Sequence, residues 1–167
     1  MMRLAAFIAS RGWLVGALLG FAQRTPYFHI HGRDGSLYMG RWWLLRGRVA
    51  EDQCPWWLRW LPIAVRIHWI VRPDNDRHLH DHPFDYCTVI LRGWYVEQDV
   101  FGVRHFRKAG DMVSARAQTF HRIAEVSPGG VWTMFICGRR RHTWGFLVDG
   151  HKVDYRRYLR LSDEVKS

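Results

Sequence analysis

The sequence predicts an all-β domain, two sheets folded as a jelly roll or closed as a barrel, with a helix at its N-terminus. Three observations predict it. Short runs rich in β-branched and aromatic residues recur from residue 37 onward, the pattern of β-sandwiches and barrels. Turn-forming pieces separate them, among them Pro73-Asp74-Asn75-Asp76, Arg92-Gly93, Phe101-Gly102, Ala109-Gly110 and Ser127-Pro128-Gly129-Gly130. Several of these connections are too short for the crossovers of a parallel sheet, so the strands pair antiparallel.

Taken in chain order, residues 1–24 come first. Leu4 to Ala22 is apolar except for Ser10 and Arg11. This segment reads as an amphipathic helix packed on the domain, with Arg3 and Arg11 at its surface. Gly20 and Ala22 also fit the small residues of a signal-peptidase site, and a membrane anchor is the third alternative. Arg11 argues against the anchor, because a charge at mid-membrane is costly. Residues 25–167 read as one domain. Its predicted strands are Leu37–Leu45, Ile63–Val71, Phe84–Leu91, Trp94–Asp99, Val103–Arg107, Asp111–Ala115, His121–Val126 and Val131–Cys137, with a weaker pair at Thr143–Val148 and His151–Tyr155. Tyr158–Ser167 reads as a short final helix. Jelly rolls and barrels manage the exposed edges of that many strands, and a small barrel encloses one ligand-sized site.

Composition narrows the function classes. At 167 residues, 48% of them hydrophobic and ten of them tryptophan, the chain holds enough apolar mass for one core, which excludes general disorder. Cys54, Cys87 and Cys137 are odd in number and far apart, so they read as free thiols in a reducing, cytoplasmic setting. The net charge is +10, and of 25 basic residues only Lys108, Lys152 and Lys166 are lysine. That excess suits acidic partners, nucleic acid included. The arginines are scattered, however, apart from Arg139-Arg140-Arg141, and a solvated basic surface is the favoured reading. No serine lies in a Gly-x-Ser-x-Gly elbow and no phosphate-binding glycine loop is present, so nucleophilic hydrolases and P-loop enzymes are unsupported. Trp42, Trp43, Trp56, Trp57 and Trp60 cluster in sequence, and adjacent pairs cannot share one strand face. They predict core and interface positions, with some of them forming an exposed apolar patch and hence a homodimer contact.

The chemistry points to the histidines. His78, His80 and His82 alternate, so an extended strand would project all three from one face. His121 opens a later strand. Imidazoles suit iron, zinc, copper and nickel, and barrel strands can converge them on one point.

In these residues the chain resembles the cupin superfamily. The first cupin motif is glycine, five residues, His-x-His, three or four residues, glutamate, six residues, glycine. Here His80-Asp81-His82 is followed after three residues by Tyr86, and after six more by Gly93. The second motif runs from glycine through Pro-x-Gly to histidine and asparagine; Gly110 and His121 hold its glycine and histidine in register, while Arg116 and Gln118 replace the Pro and Gly and Glu125 replaces the asparagine. Asp74 stands at the first glycine. Arg41-Trp42-Trp43, His80-Asp81-His82-Pro83-Phe84-Asp85 and Gly138-Arg139-Arg140-Arg141 with Trp144-Gly145-Phe146 further resemble uncharacterised cupin-like proteins of phages and prophages.

The resemblance implies a cupin-type jelly roll, and a divalent ion (iron, zinc, nickel or manganese) on His80, His82 and His121. Tyr86 replaces the usual carboxylate ligand. The site is therefore either a three-histidine one or is completed by Asp85 through a bulge near Pro83. A Tyr86 phenolate is disfavoured by the phenol's ordinary pKa near ~10. His78 is left as a rim residue. Arg66 and His68 share one face of their strand, lining the cavity or facing solvent, and Thr88 and Arg116 are further pocket candidates. An arginine there suits an anionic small molecule. Cys87, next to Tyr86 on a strand, should face the other way.

The expected function is a metal-dependent enzyme, a dioxygenase with iron or an isomerase or hydrolase with another ion. The alternative is a non-catalytic small-ligand-binding or structural phage accessory protein. A 2-oxoglutarate oxygenase ranks last, because neither His-x-His pair supplies its acid.

Overall fold

The structure, a computed structural model, describes residues 2–32, 34–45 and 60–164. Cys54, Trp56 and Trp57 lie outside the described residues. Two helices, α1 (Met2–Ser10) and α2 (Gly12–Ala22), precede strands β1 (Ile30–His31), β2 (Leu37–Leu45), β3 (Ala64–Ile70), β4 (Phe84–Arg92), β5 (Trp94–Asp99) and β6 (Arg104–Lys108). Then come β7 (Met112–Ala115), β8 (His121–Val126), β9 (Val131–Arg140), β10 (Gly145–Val148), β11 (His151–Asp154) and the helix α3 (Tyr155–Glu164). The predicted strands are all present within a few residues, and only the two-residue β1 was not foreseen.

Every pairing is antiparallel. One sheet has the order β1-β2-β3-β9-β4-β7, a second β6-β5-β8, and β10-β11 form a hairpin. His80 bridges to His121 on one side and to Phe146 on the other, so its segment joins the three-stranded sheet to that hairpin. The result is a two-layer jelly roll.

Turn chemistry sets the registers. Gly93, between β4 and β5, has φ of 83°, and a Cβ there would sit 2.7 Å from the Gly130 carbonyl oxygen. Only glycine fits such a left-handed, crowded turn. The glycine that ends the first motif is thus a backbone requirement of the hairpin.

The N-terminal segment is two helices rather than one. The chain leaves helical geometry at Arg11 (φ −102°, ψ 83°), and α2 starts afresh after it. Val15, Leu19 and Ala22 fall on one face of α2 and pack, with Ala5 of α1, against Trp42, Ile67, Val89 and Leu91. These come from β2, β3 and β4, on the outer side of the six-stranded sheet. Among the described residues no helix is long and apolar enough to cross a membrane.

The same sheet's inner face carries Trp43, Phe84, Tyr86 and Phe135, and between the sheets Ile70, Ile90, Tyr95, Ile123 and Val131 complete the core. Strand alternation therefore buries Trp42 outside under the helices and Trp43 inside. Neither contributes to an exposed tryptophan patch. The adjacent pair does take opposite faces, and among the described members of the cluster Trp60 is the exposed one, at 73%.

Candidate metal centre

Residues 78–82 do not form a regular strand. His80 is held instead by two backbone bonds with His121: its N–H donates to the His121 carbonyl at 2.8 Å, and its carbonyl accepts from the His121 N–H at 3.0 Å. Next to it, the Asp81 N–H donates to the Gly145 carbonyl at 3.0 Å. The fully buried Asp81 carboxylate accepts from the Gly145 N–H at 2.8 Å and from Lys152 Nζ at 2.5 Å. Asp81 points away from His80, His82 and His121, as expected, and rivets the segment to the β10-β11 hairpin.

This anchoring brings His80, His82 and His121 together, with one ring nitrogen of each within 4.8 Å of the others. His82 Nε2 and His121 Nε2 are 3.0 Å apart. Two nitrogens each ~2.1 Å from one ion at an angle near ~90° would be separated by about this distance. His78 does not join them. Without a continuous strand the alternation fails, and His78 Nδ1 instead meets the Tyr158 hydroxyl at 3.0 Å.

Carboxylates behind the rings orient them. His121 Nδ1 donates to Glu97 Oε1 at 2.6 Å, so its Nε2 presents a lone pair to the cluster. His80 Nδ1 lies 3.5 Å from Asp74 Oδ2. Asp74 is held in turn by the Ile123 N–H at 2.8 Å and by the Tyr38 hydroxyl. Such partners select the tautomer and raise the basicity of a ligating imidazole. Sequence reasoning missed Glu97, Asp74 and Tyr38. Glu97 shares inward parity with Tyr95 on β5, a signal available in the sequence; Asp74 occupies the position of the missing motif glycine.

The electrostatics favour neutral imidazoles at His80 and His82. Burial lowers His80 to about 4, a shift the Asp74 charge offsets only in part. Burial, with the neighbouring His121 and His80, holds His82 well below the ordinary histidine value. Burial pushes the Glu97 carboxyl up, but the hydrogen bond from His121, with the charge and hydrogen bond of Arg107, outweighs it and holds the group below its ordinary value. Tyr86, its hydroxyl 3.3 Å from His121 Nε2, is raised well above 10 by burial and then by the Glu97 charge. It remains a phenol and acts as a donor.

The other expected residues divide. Arg66, His68 and Thr88 line a cavity of about 90 Å³ that contains the three histidines, Tyr86 and Glu97. Asp85 and Arg116 do not line it. A register shift does occur beside Asp85, with Phe84 opposite Arg140 and Tyr86 opposite Cys137. The extra residue lies in β9, so β4 keeps its alternation: Phe84 and Tyr86 face inward and Asp85 outward. Asp85 accepts from the Ala117 N–H at 2.9 Å and pairs with Arg141 at 2.7 Å, which removes it as a fourth ligand. Arg116 is exposed in the turn after β7, beyond the inward-facing strand positions. Cys87 is absent from the cavity lining, as alternation required.

Metal-free protein should lose stability in mild acid. His68 is held well below 6.5 by burial, then by Arg41 and Arg66, and His80 and His82 are depressed as well. Below about pH 6.5 the unfolded chain binds protons that the folded state refuses, so stability falls as pH drops from ~6.5 towards the folded values. Each such histidine contributes a slope of up to about 1.4 kcal/mol per pH unit. Thermal midpoints of chelator-treated protein between pH 7.5 and 4.5 check this; a midpoint unchanged down to pH 5 would refute it.

No protein-family model and no curated protein matches the sequence. Solved structures do match the fold. A structure of the DMSP lyases RdDddP and RnDddQII aligns with a TM-score of 0.56 at 15% identity, over 75% of this chain. This chain spans 62% of that one's length. A cupin-2 domain protein from Rhodospirillum rubrum aligns with a TM-score of 0.55 at 14% identity, over 84% of each chain. The Fe(II) form of HppE aligns with a TM-score of 0.50 at 12% identity, over 69% of this chain and 57% of that one. The fold is the cupin jelly roll.

Proposed function

We propose that this chain is a metal-dependent enzyme of the cupin type that acts on a small molecule, holding one divalent ion on His80, His82 and His121. The observation that carries the reading is the convergence of three imidazole nitrogens, one of them backed by the buried Glu97 carboxylate. The donor set fits iron, zinc, nickel or manganese, with positions left for substrate or water. When bound, such an ion supplies Lewis acidity, or with iron a site for dioxygen. The chain's own residues do the rest. Glu97 and Asp74 hold the rings of His121 and His80. Tyr86 keeps a proton on its hydroxyl beside the cluster, placed to donate to a developing oxyanion. Phe84 and Phe135 flank His82, with ring centroids 6.2 and 5.8 Å away, and exclude water from that side.

Metal analysis of protein purified without added metal tests the proposal. One equivalent of a divalent ion is expected, retained by His78→Ala and Asp85→Ala. Only trace metal, together with no uptake from iron, zinc, nickel or manganese, would leave the non-catalytic ligand-binding reading. Glu97→Gln removes the charge behind His121 while keeping the side chain's shape. It should weaken metal binding about 10- to 100-fold in competition with a chelator. Unchanged affinity would mean that Glu97 serves the fold and not the ligand. The resemblance to phage and prophage cupin-like proteins supports placing the chain in that group, and its gene neighbourhood would decide it.

A further inference from the structure

The cavity has a second pole, on the inner faces of β2 and β3. There Arg41 pairs across the strands with His68, and Trp43 with Arg66. Arg66 is 7% exposed, its guanidinium 4.0 Å above the Trp43 ring and 5.5 Å from that of Phe84. Arg41 and Arg66 both line the cavity. The Nε of each is buried without a hydrogen-bond partner, and so is Nε2 of His68. Among the described residues no carboxylate pairs with either arginine. Among the described residues the only acidic side chain lining the cavity is Glu97, which is engaged by His121 and Arg107.

Two guanidinium groups in a desolvated pocket without a counter-charge are costly, and proteins ordinarily pair such charges. The strain shows in Arg41, lowered to about 10 by burial and then by the charge of Arg66. Cys137 does not compensate, because burial pushes its thiol up and keeps it neutral. The ring contacts hold the Arg66 plane in place but leave its buried Nε unmatched. His68, neutral and stacked on Phe135 at 4.9 Å, adds an unpartnered ring nitrogen at this pole. Phe135 also neighbours His82, so the basic pole and the histidine cluster meet across one aromatic ring.

We infer that the substrate is a small organic oxyanion, a carboxylate or phosphonate, whose acidic group docks on Arg41 and Arg66 while its reacting end reaches His80, His82 and His121. A guanidinium fork matches a planar or tetrahedral oxyanion through paired hydrogen bonds, and a low-dielectric wall strengthens them. Arg41 and Arg66 are binding residues in this arrangement and take no part in proton transfer. The assignment rests on the proposed metal site for the reacting end alone; the basic pole stands on its own residues.

The test titrates zinc-loaded protein with propionate, methylphosphonate and the neutral propionamide, followed by backbone amide shifts. Saturable binding of either anion and none of propionamide is expected. Arg66→Met should weaken the anion at least tenfold with zinc content unchanged. Arg41→Met, at a less buried position, provides the same readout if Arg66→Met does not fold. His121→Ala should lose zinc yet still bind the anion, which separates this inference from the metal reading. Propionamide binding as tightly as propionate would overturn it. So would anion affinity that survives both arginine changes, the behaviour of an anion held by zinc alone.

Discussion

His121→Ala is expected to purify with no more than trace metal, and to take up none on soaking, where the unaltered protein holds one equivalent. Of the three histidines, His121 has the most invested in its position. It is buried, its Nδ1 is committed to Glu97 at 2.6 Å, and its Nε2 faces both His82 and Tyr86. Truncation removes a ligand and also strands Glu97, which is left with only Arg107 at 3.4 Å. A buried carboxylate deprived of its main partner costs about 2–4 kcal/mol. Metal content and the urea midpoint therefore move together. If His121→Ala keeps its metal while His78→Ala loses it, the ligand assignment is wrong. If metal is lost with no change in stability, Glu97 has found another partner.

Ile67→Ala is expected to destabilise the fold by about 3 kcal/mol, with metal content unchanged in the fraction that folds. Ile67 is 0% exposed, at the centre of β3, and its side chain fills the seam between the six-stranded sheet and the α1–α2 pair. Truncation leaves a cavity that two helices and a sheet cannot close without shifting against each other. Phe101→Ala makes the control: Phe101 is 88% exposed at a hairpin tip, and its loss should stay within about 0.5 kcal/mol. Denaturant midpoints at constant slope give both values. An Ile67→Ala cost below 1 kcal/mol would mean that the helical pair does not pack on this face in solution.

Local chemistry made much of this legible. Where a strand's alternation and its flanking turns agree, as in Trp94–Asp99 between Gly93 and Gly102, the predicted and observed bounds coincide. The same holds for Leu37–Leu45 and His121–Val126. Boundaries drifted where the strand runs on through a nominal breaker, as β9 does through Gly138 to Arg140. The helical segment misled for a related reason. Its apolar composition was plain, but the break at Arg11 lets α1 and α2 lie against the sheet in succession, a packing event that composition does not encode.

Spacing alone would have grouped His78 with His80 and His82; the resemblance to the two cupin motifs is what singled out His80, His82 and His121 as the expected ligands. What the sequence left open were questions of facing. Parity along β3 put Arg66 and His68 on one side; only the assembled barrel made that side the cavity. Parity along β4 set Tyr86 and Asp85 apart, and the partner strand decided that the bulge fell in β9 and left Asp85 outside. Glu97 and Asp74 became partners of His121 and His80 through β5-β8 pairing and a loop returning to β8, contacts between residues far apart in sequence. Periodicity is a property of a few consecutive residues and is readable from them. Which face is interior, and which buried charge meets which ring, depends on how distant strands close on one another, so the tertiary structure alone could decide it.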